Sequence, residues 1–323
     1  MLERKIHKPD FLDSRLNILD EELPGSSIVK GALLEELPSE PIEPGKELKT
    51  KHFYIKEIPP AQELDYLPPP YQNAHQLREV ARTIGRMKKD AREATTEELV
   101  EYYESNLENK KRLGLREDED IRSKIDESLD LLKPETAITN TKKLYDLHRA
   151  WYNTEMPGFV IDKLFALGKD TEGNTRGYII KKHVDSYDDA DESAYRIDLG
   201  MFYHEAQTQG NPKGREAVLI DFVKQIKRSL QTVQQRATLR SDILKFIAVT
   251  KRVIAEEGWV IDFGAVHNGA NIRIGPDGHL HMIDTDKVYP AKFRDQKDIA
   301  AINAEQILDA LEYVADHLED EEK

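Results

Sequence analysis

The sequence predicts a helix-rich α+β protein. Short runs of aromatic and β-branched residues at 51–58 (KHFYIKEI), 159–167 (FVIDKLFAL) and 177–184 (GYIIKKHV) read as strands. Longer stretches between and after them carry apolar residues at three- and four-residue spacing, the period of an amphipathic helix. Charged residues make up 33% of the 323 positions against 7% aromatics, which fits a helical, strongly solvated surface.

Taken in order, residues 1–24 are polar with scattered Leu and Ile and predict an irregular lead-in or a short helix. Residues 26–37 (SSIVKGALLEEL) read as a strand pair or a strand and turn. Pro38, Pro41, Pro44 and Gly45 then mark a loop. The 51–58 strand follows and is closed by Pro59, Pro60 and the cluster Pro68–Pro70. Leu77, Val80, Ala81, Ile84 and Met87 predict one helix. Thr95, with Glu97 and Glu98 behind it, predicts the capped start of a second. A third is expected to end near Pro134, and a fourth to span about 140–152 with Leu144, Leu147 and Trp151 on one face.

The 159–167 and 177–184 runs, joined by turn residues at 170–174, predict a hairpin. An acidic loop at 185–192 is followed by expected helices at 193–208, 214–236 and 240–257. The last has Ile243, Phe246, Ile247 and Ile254 as its buried stripe and stops at Gly258. A final amphipathic helix over 300–323 carries Ile302, Ile307, Leu308, Leu311 and Val314. These elements divide into an N-terminal part, 1–184, and a mainly helical C-terminal part, 185–323.

Composition narrows the function. A net charge of −14 argues against general nucleic-acid binding, which needs clustered Lys and Arg, and against adhesion to anionic membranes. The absence of cysteine excludes disulfides, thiolate zinc sites and a Cys nucleophile, and suits a reducing cytoplasm. The first residues lack the apolar core of a signal peptide, and no run approaches the roughly 18 apolar residues of a membrane span, so no membrane insertion is expected.

Residues 259–287 hold the chemistry. Asn271 precedes a short strand (IRI), Gly275-Pro276-Asp277-Gly278 turns the chain, and a second strand (LHM) leads to Asp284. A hairpin sets Asn271 and Asp284 at its open end. An amide oxygen and a carboxylate there form a hard-cation site suited to Mg²⁺. His279 and His281 alternate on the returning strand, but nothing nearby supplies a third ligand at zinc spacing.

The string from His267 to Ile272, followed by Gly278 to Asp284, resembles the catalytic segment of protein-kinase-like enzymes, including phosphoinositide kinases and small-molecule phosphotransferases. There an Asn opens a hairpin and a metal-binding Asp follows about a dozen residues later. The specific likeness covers residues 258–290, and a looser order of elements extends over 158–300. The resemblance implies a bilobal protein-kinase-like fold with a large helical insertion in the N-terminal half. It implies ATP and Mg²⁺ as cofactors, with Asn271 and Asp284 as metal ligands. It further implies Lys56 as the strand lysine that orients the nucleotide phosphates, with Glu79 as its partner. Lys181 or Lys182 with Glu205 is the lower-ranked alternative.

Three departures accompany the likeness. The family's catalytic Asp falls on Val266, so Asp262 or His267 would have to act as the base. Asp262-Phe263-Gly264 spells the family's metal motif at a place where no hairpin precedes it. Asp284 is followed by Thr285-Asp286 instead of Phe-Gly. The expected activity is phosphoryl transfer to a hydroxyl of a protein or small molecule. A pseudokinase, the same fold used as an interaction module without catalysis, is the alternative.

Overall fold

The computed structural model describes residues 16–18, 42, 48–50, 53–58, 74–87, 94–105, 107–113, 120–169, 173–182, 212–262, 271–275, 277–285, 288–293, 296–297 and 299–318. It is an α+β protein of two compact units. The first comprises 1–65, 73–142 and 162–183, and the second comprises 66–72, 143–161 and 184–323. The expected elements at 26–37 and 193–208, and the acidic loop at 185–192, lie outside the described residues.

The first unit begins with β1 (Leu16–Ile18), β2 (Leu48–Lys49) and β3 (Phe53–Glu57). Helices α1 (Ala74–Arg86), α2 (Thr96–Glu104), α3 (Leu107–Arg112), α4 (Ile121–Leu131) and the start of α5 (Pro134–Tyr152) follow. Strands β4 (Lys163–Lys169) and β5 (Thr175–Lys182) complete it. The strands form one antiparallel sheet in the order β1-β4-β5-β3-β2. The central pair β4–β5 is the expected hairpin, turned with Gly173 at φ 84°.

Alternation along the strands sorts the two faces of this sheet. Phe53, Ile55, Ala166, Tyr178 and Ile180 make the apolar face, with Ile42 and Leu164 packed against them. The opposite face carries Tyr54, Lys56, Ile179, Lys181, Lys163 and Phe165. At one end of that face α5 lies close: a Cβ on Gly177 would stand 3.2 Å from Ile138 Cβ, so glycine admits the helix.

The helices form a separate core of Val80, Ile84, Leu99, Tyr103, Leu113, Ile121, Ile125 and Leu132. Val80 and Ile84 are the stripe read from the sequence, each contributing about 1.5–3 kcal/mol through burial. Thr95 caps α2 as expected: its side chain accepts from Glu98 N, and the Glu98 carboxylate accepts from Thr95 N. Helix α4 ends at Leu131, near Pro134 as expected, and Pro134 itself opens α5 ahead of the expected start near 140, since the first turn needs no amide hydrogen from that residue.

In the second unit the C-terminal half of α5 is joined by α6 (Pro212–Ser229) and α7 (Val233–Arg252). The break between α6 and α7 falls at 230–232, earlier than the sequence reading placed it. Thr232 and Gln235 form a capping box that starts a new helix there. A π-helical turn, Val253–Glu257, ends at Gly258 with φ 76°, the stop predicted from sequence. Tyr152, Phe159 and Phe246 pack as an aromatic trio, and Tyr152 Oη lies 3.0 Å from Thr250 Oγ1.

Strands β6 (Trp259–Ile261), β7 (Ile272–Ile274), β8 (Leu280–Met282) and β9 (Val288–Pro290) come next. A short pair, β10 (Lys292–Phe293) and β11 (Gln296–Lys297), leads to α8 (Ile299–His317). Helix α8 buries Ile307, Leu308, Leu311 and Val314 as expected. Ile302 is instead 43% exposed.

Candidate functional site

Two antiparallel pairs are nested in the second unit. β6 pairs with β9, and the β7–β8 hairpin lies between them in sequence. Gly278, at φ 86°, closes the hairpin turn by donating its N–H to Gly275 O at 3.0 Å. The hairpin is held on its other edge too. Met282 N donates to Phe159 O (2.6 Å), and Ile161 N donates to Met282 O (3.3 Å). The expected strand at 159–167 is therefore split: 159–161 serves β8, and β4 starts at Lys163.

Helix α7 grips the turn. The buried Asp242 carboxylate accepts from Leu280 N (3.2 Å) and from His279 Nδ1 (2.9 Å). A Cβ on Gly278 would stand 2.2 Å from Gln235 O, so this contact requires glycine. His281 Nδ1 donates to Gly158 O (3.2 Å). His279 and His281 thus both anchor the hairpin. Among the described residues no group of three or more His, Asp or Glu side chains is arranged to hold a metal.

Asn271 and Asp284 flank the open end as the sequence reading required. Ile283 N donates to Asn271 O at 2.8 Å, so Asn271 stands opposite Ile283 and Asp284 is the next residue along. Both side chains are partly exposed. Asn271 Nδ2 donates to the carbonyl of Asp262 (2.8 Å), which ties the amide nitrogen to the end of β6 and leaves Oδ1 as its oxygen donor.

Asp262 itself is only 5% exposed, and its Oδ2 accepts from Tyr289 Oη at 3.4 Å. Tyr289 comes from β9, where it stands opposite Val260. Asp262 therefore links the end of β6 to β9 through Tyr289 and to Asn271 through its carbonyl, and its burial sets it apart from an exposed proton acceptor. His267, Val266 and Asp286 lie outside the described residues.

In the first unit Lys56 sits on β3 opposite Ile179 and is 8% exposed. Glu79 on α1 is also buried, but its carboxylate takes Arg86 (3.2 Å) rather than Lys56, and its carbonyl accepts from Tyr103 Oη (3.1 Å). Helical spacing explains the exchange, because Arg86 lies two turns along the same helix. The expected pairing of Lys56 with Glu79 is corrected accordingly. Burial raises the Tyr103 phenol to about 12, against a smaller opposing effect of the Thr83 hydroxyl at 2.7 Å.

Sequence reading missed β6, Tyr289 and Asp242. The β-branched run Val260-Ile261 was a signal for the strand, whereas Tyr289 and Asp242 carried none. Comparison with family models, with curated proteins and with solved structures gives no match. No helix among the described residues is long and apolar enough to cross a membrane.

Proposed function

We propose that this chain is a protein-kinase-like Mg-nucleotide-binding protein whose metal site is the open end of the β7–β8 hairpin. The observation that carries the reading is the Asn271–Ile283 backbone contact, which sets Asn271 next to the Asp284 position. Mg²⁺ takes few protein ligands and keeps several waters, so one amide oxygen and one carboxylate suffice when phosphates supply the rest. The order of elements supports it as well: a strand lysine, Lys56, then helices, then a hairpin bounded by Asn271 and Asp284. The ion would bridge the phosphates of ATP.

The substrate class of the leading reading is a protein or small-molecule hydroxyl. Burial of Asp262 favours the second reading, a pseudokinase, because a buried carboxylate engaged by Tyr289 does not meet an incoming hydroxyl. Losing a general base lowers rate by about 10²–10⁴-fold. ATP turnover and autophosphorylation, compared between the native chain, His267→Ala and Asp284→Ala, decide between them. Turnover lost in both variants supports the transferase with His267 as base. Mg-ATP binding without any turnover supports the pseudokinase. Turnover that survives Asp284→Ala removes the proposed metal site.

A further inference from the structure

The two strands of the β7–β8 hairpin have only three residues each. A lone two-stranded hairpin is marginal in water, yet the candidate metal site depends on its register. Ile272 pairs with Met282, Arg273 with His281 and Ile274 with Leu280, and this pairing brings Ile283 N to Asn271 O. A slip of one residue would carry Asp284 about 3.3 Å along the chain and turn it to the other face. An ion site does not survive such a displacement, because its ligands have to stand within about 0.5 Å of their working positions.

The register is fixed from outside the hairpin, at its turn. Asp242 lies on the buried side of α7, with Leu239, Ile243 and Phe246. A carboxylate must be desolvated to occupy such a place, at a cost that an apolar residue would not incur. It meets two donors that follow the turn: His279 Nδ1 at 2.9 Å and Leu280 N at 3.2 Å. The second donor belongs to the main chain, so the contact reads the position of the strand and not the identity of a side chain. Gln235, two helical turns earlier on α7, adds a steric check: a Cβ on Gly278 would stand 2.2 Å from its carbonyl oxygen. Both contacts are met in one register only. Shifting the returning strand by one residue would withdraw the Leu280 amide from Asp242. It would also drive Asp277 or His279, each bearing a Cβ, against the Gln235 carbonyl.

We propose that Asp242 is a positioning residue for the metal site: it locks the register of β8, and through it the approach of Asp284 to Asn271. The inference rests on the Mg-nucleotide reading above and adds to it a residue from the opposite end of the hairpin. Asp242 acts through Leu280 and the strand that leads from it to Asp284. Residues that hold metal ligands in place in this way change metal affinity about 10–100-fold when they are removed.

The test uses the intact chain, with Mn²⁺ in place of Mg²⁺ so that bound ion is counted by electron paramagnetic resonance in the presence of ATP. Each variant is titrated well below its own unfolding midpoint, so that loss of fold does not enter. Asp242→Ala is expected to weaken Mn²⁺ binding about tenfold or more. Asp242→Asn, which keeps an acceptor oxygen for Leu280 N, is expected to restore it to within about threefold of the native chain. His279→Ala, at an exposed position, removes one of the two donors and is expected to weaken binding about threefold. Thr95→Ala, which removes a helix cap in the first unit, is expected to leave binding native, and an equal loss there would reduce the Asp242 effect to general destabilisation and overturn the proposal. Mn²⁺ binding that is lost in Asp284→Ala but native in Asp242→Ala overturns the proposal and spares the nucleotide reading. Should Asp242→Ala not fold, native binding in His279→Ala overturns it. No ATP-dependent Mn²⁺ binding in the native chain overturns the nucleotide reading and the proposal together.

Discussion

Replacing Asp242 by alanine tests whether α7 sets the hairpin that bears the candidate metal site. The Asp242 carboxylate accepts two hydrogen bonds, from Leu280 N at 3.2 Å and from His279 Nδ1 at 2.9 Å. Leu280 is 1% exposed. With the carboxylate gone, its amide is buried without an acceptor, which costs about 1–3 kcal/mol. The His279 contact is half solvated and adds roughly 0.5–1 kcal/mol. Asp242→Ala should therefore destabilise by about 1.5–4 kcal/mol. In a cooperative unit of this size, that lowers Tm by roughly 5–15 °C. Asp242→Asn keeps an acceptor oxygen and should lose only about 1 kcal/mol. Thermal unfolding of the two variants, followed by circular dichroism, reads the difference, and hydrogen exchange at the Leu280 amide localises it. Equal losses in both variants, or a loss in Asp242→Ala within about 0.5 kcal/mol of zero, would refute the reasoning.

Gly278→Ala combines an unfavourable positive φ with a Cβ 2.2 Å from the Gln235 carbonyl, and should destabilise by about 2–5 kcal/mol in chemical denaturation, with exchange protection lost first across the β7–β8 hairpin. Thr232→Ala removes the cap that starts α7 and should lower stability by about 1 kcal/mol, while Thr232→Ser restores most of it. The Tyr103 phenol is raised to about 12 by burial, whereas in the unfolded chain it ionises near its ordinary value of 10. The folded state then holds the extra proton between about pH 10 and 12, so stability falls as pH rises through that window. Tyr103→Phe should flatten that part of the stability profile, and an unchanged slope would contradict the assignment.

Local signals carried much of the fold. The apolar stripe of α1, the cap at Thr95, the β4–β5 hairpin and the stop at Gly258 all depend on residues within a turn or two of each other, and each is found where the sequence placed it. Two helix starts differ from the expected ones for equally local reasons. Pro134 is a helix opener, and Thr232 with Gln235 is a cap in the middle of a continuous helical pattern. The pairing of β6 with β9 was not legible, because its partners are separated by the whole hairpin and each strand is three residues long.

The site divides along the same line. Asn271 and Asp284 were readable because a two-stranded turn brings its own ends together. The bracing of Asp262 by Tyr289 and the grip of Asp242 on His279 each depend on register between distant segments. The Glu79 expectation failed because a neighbour on its own helix reached it first.

The most direct measurement of the central claim is the thermal stability of the intact chain with Mg-ATP, beside Asn271→Ala and Asp284→Ala. A ligand held only by the folded state at a hundred times its Kd adds about 2.7 kcal/mol. The account predicts a clear rise in Tm with Mg-ATP in the native chain, a smaller one when Mg²⁺ is withheld, and little in either variant. An equal rise in all three proteins, or none in the native chain, would contradict it.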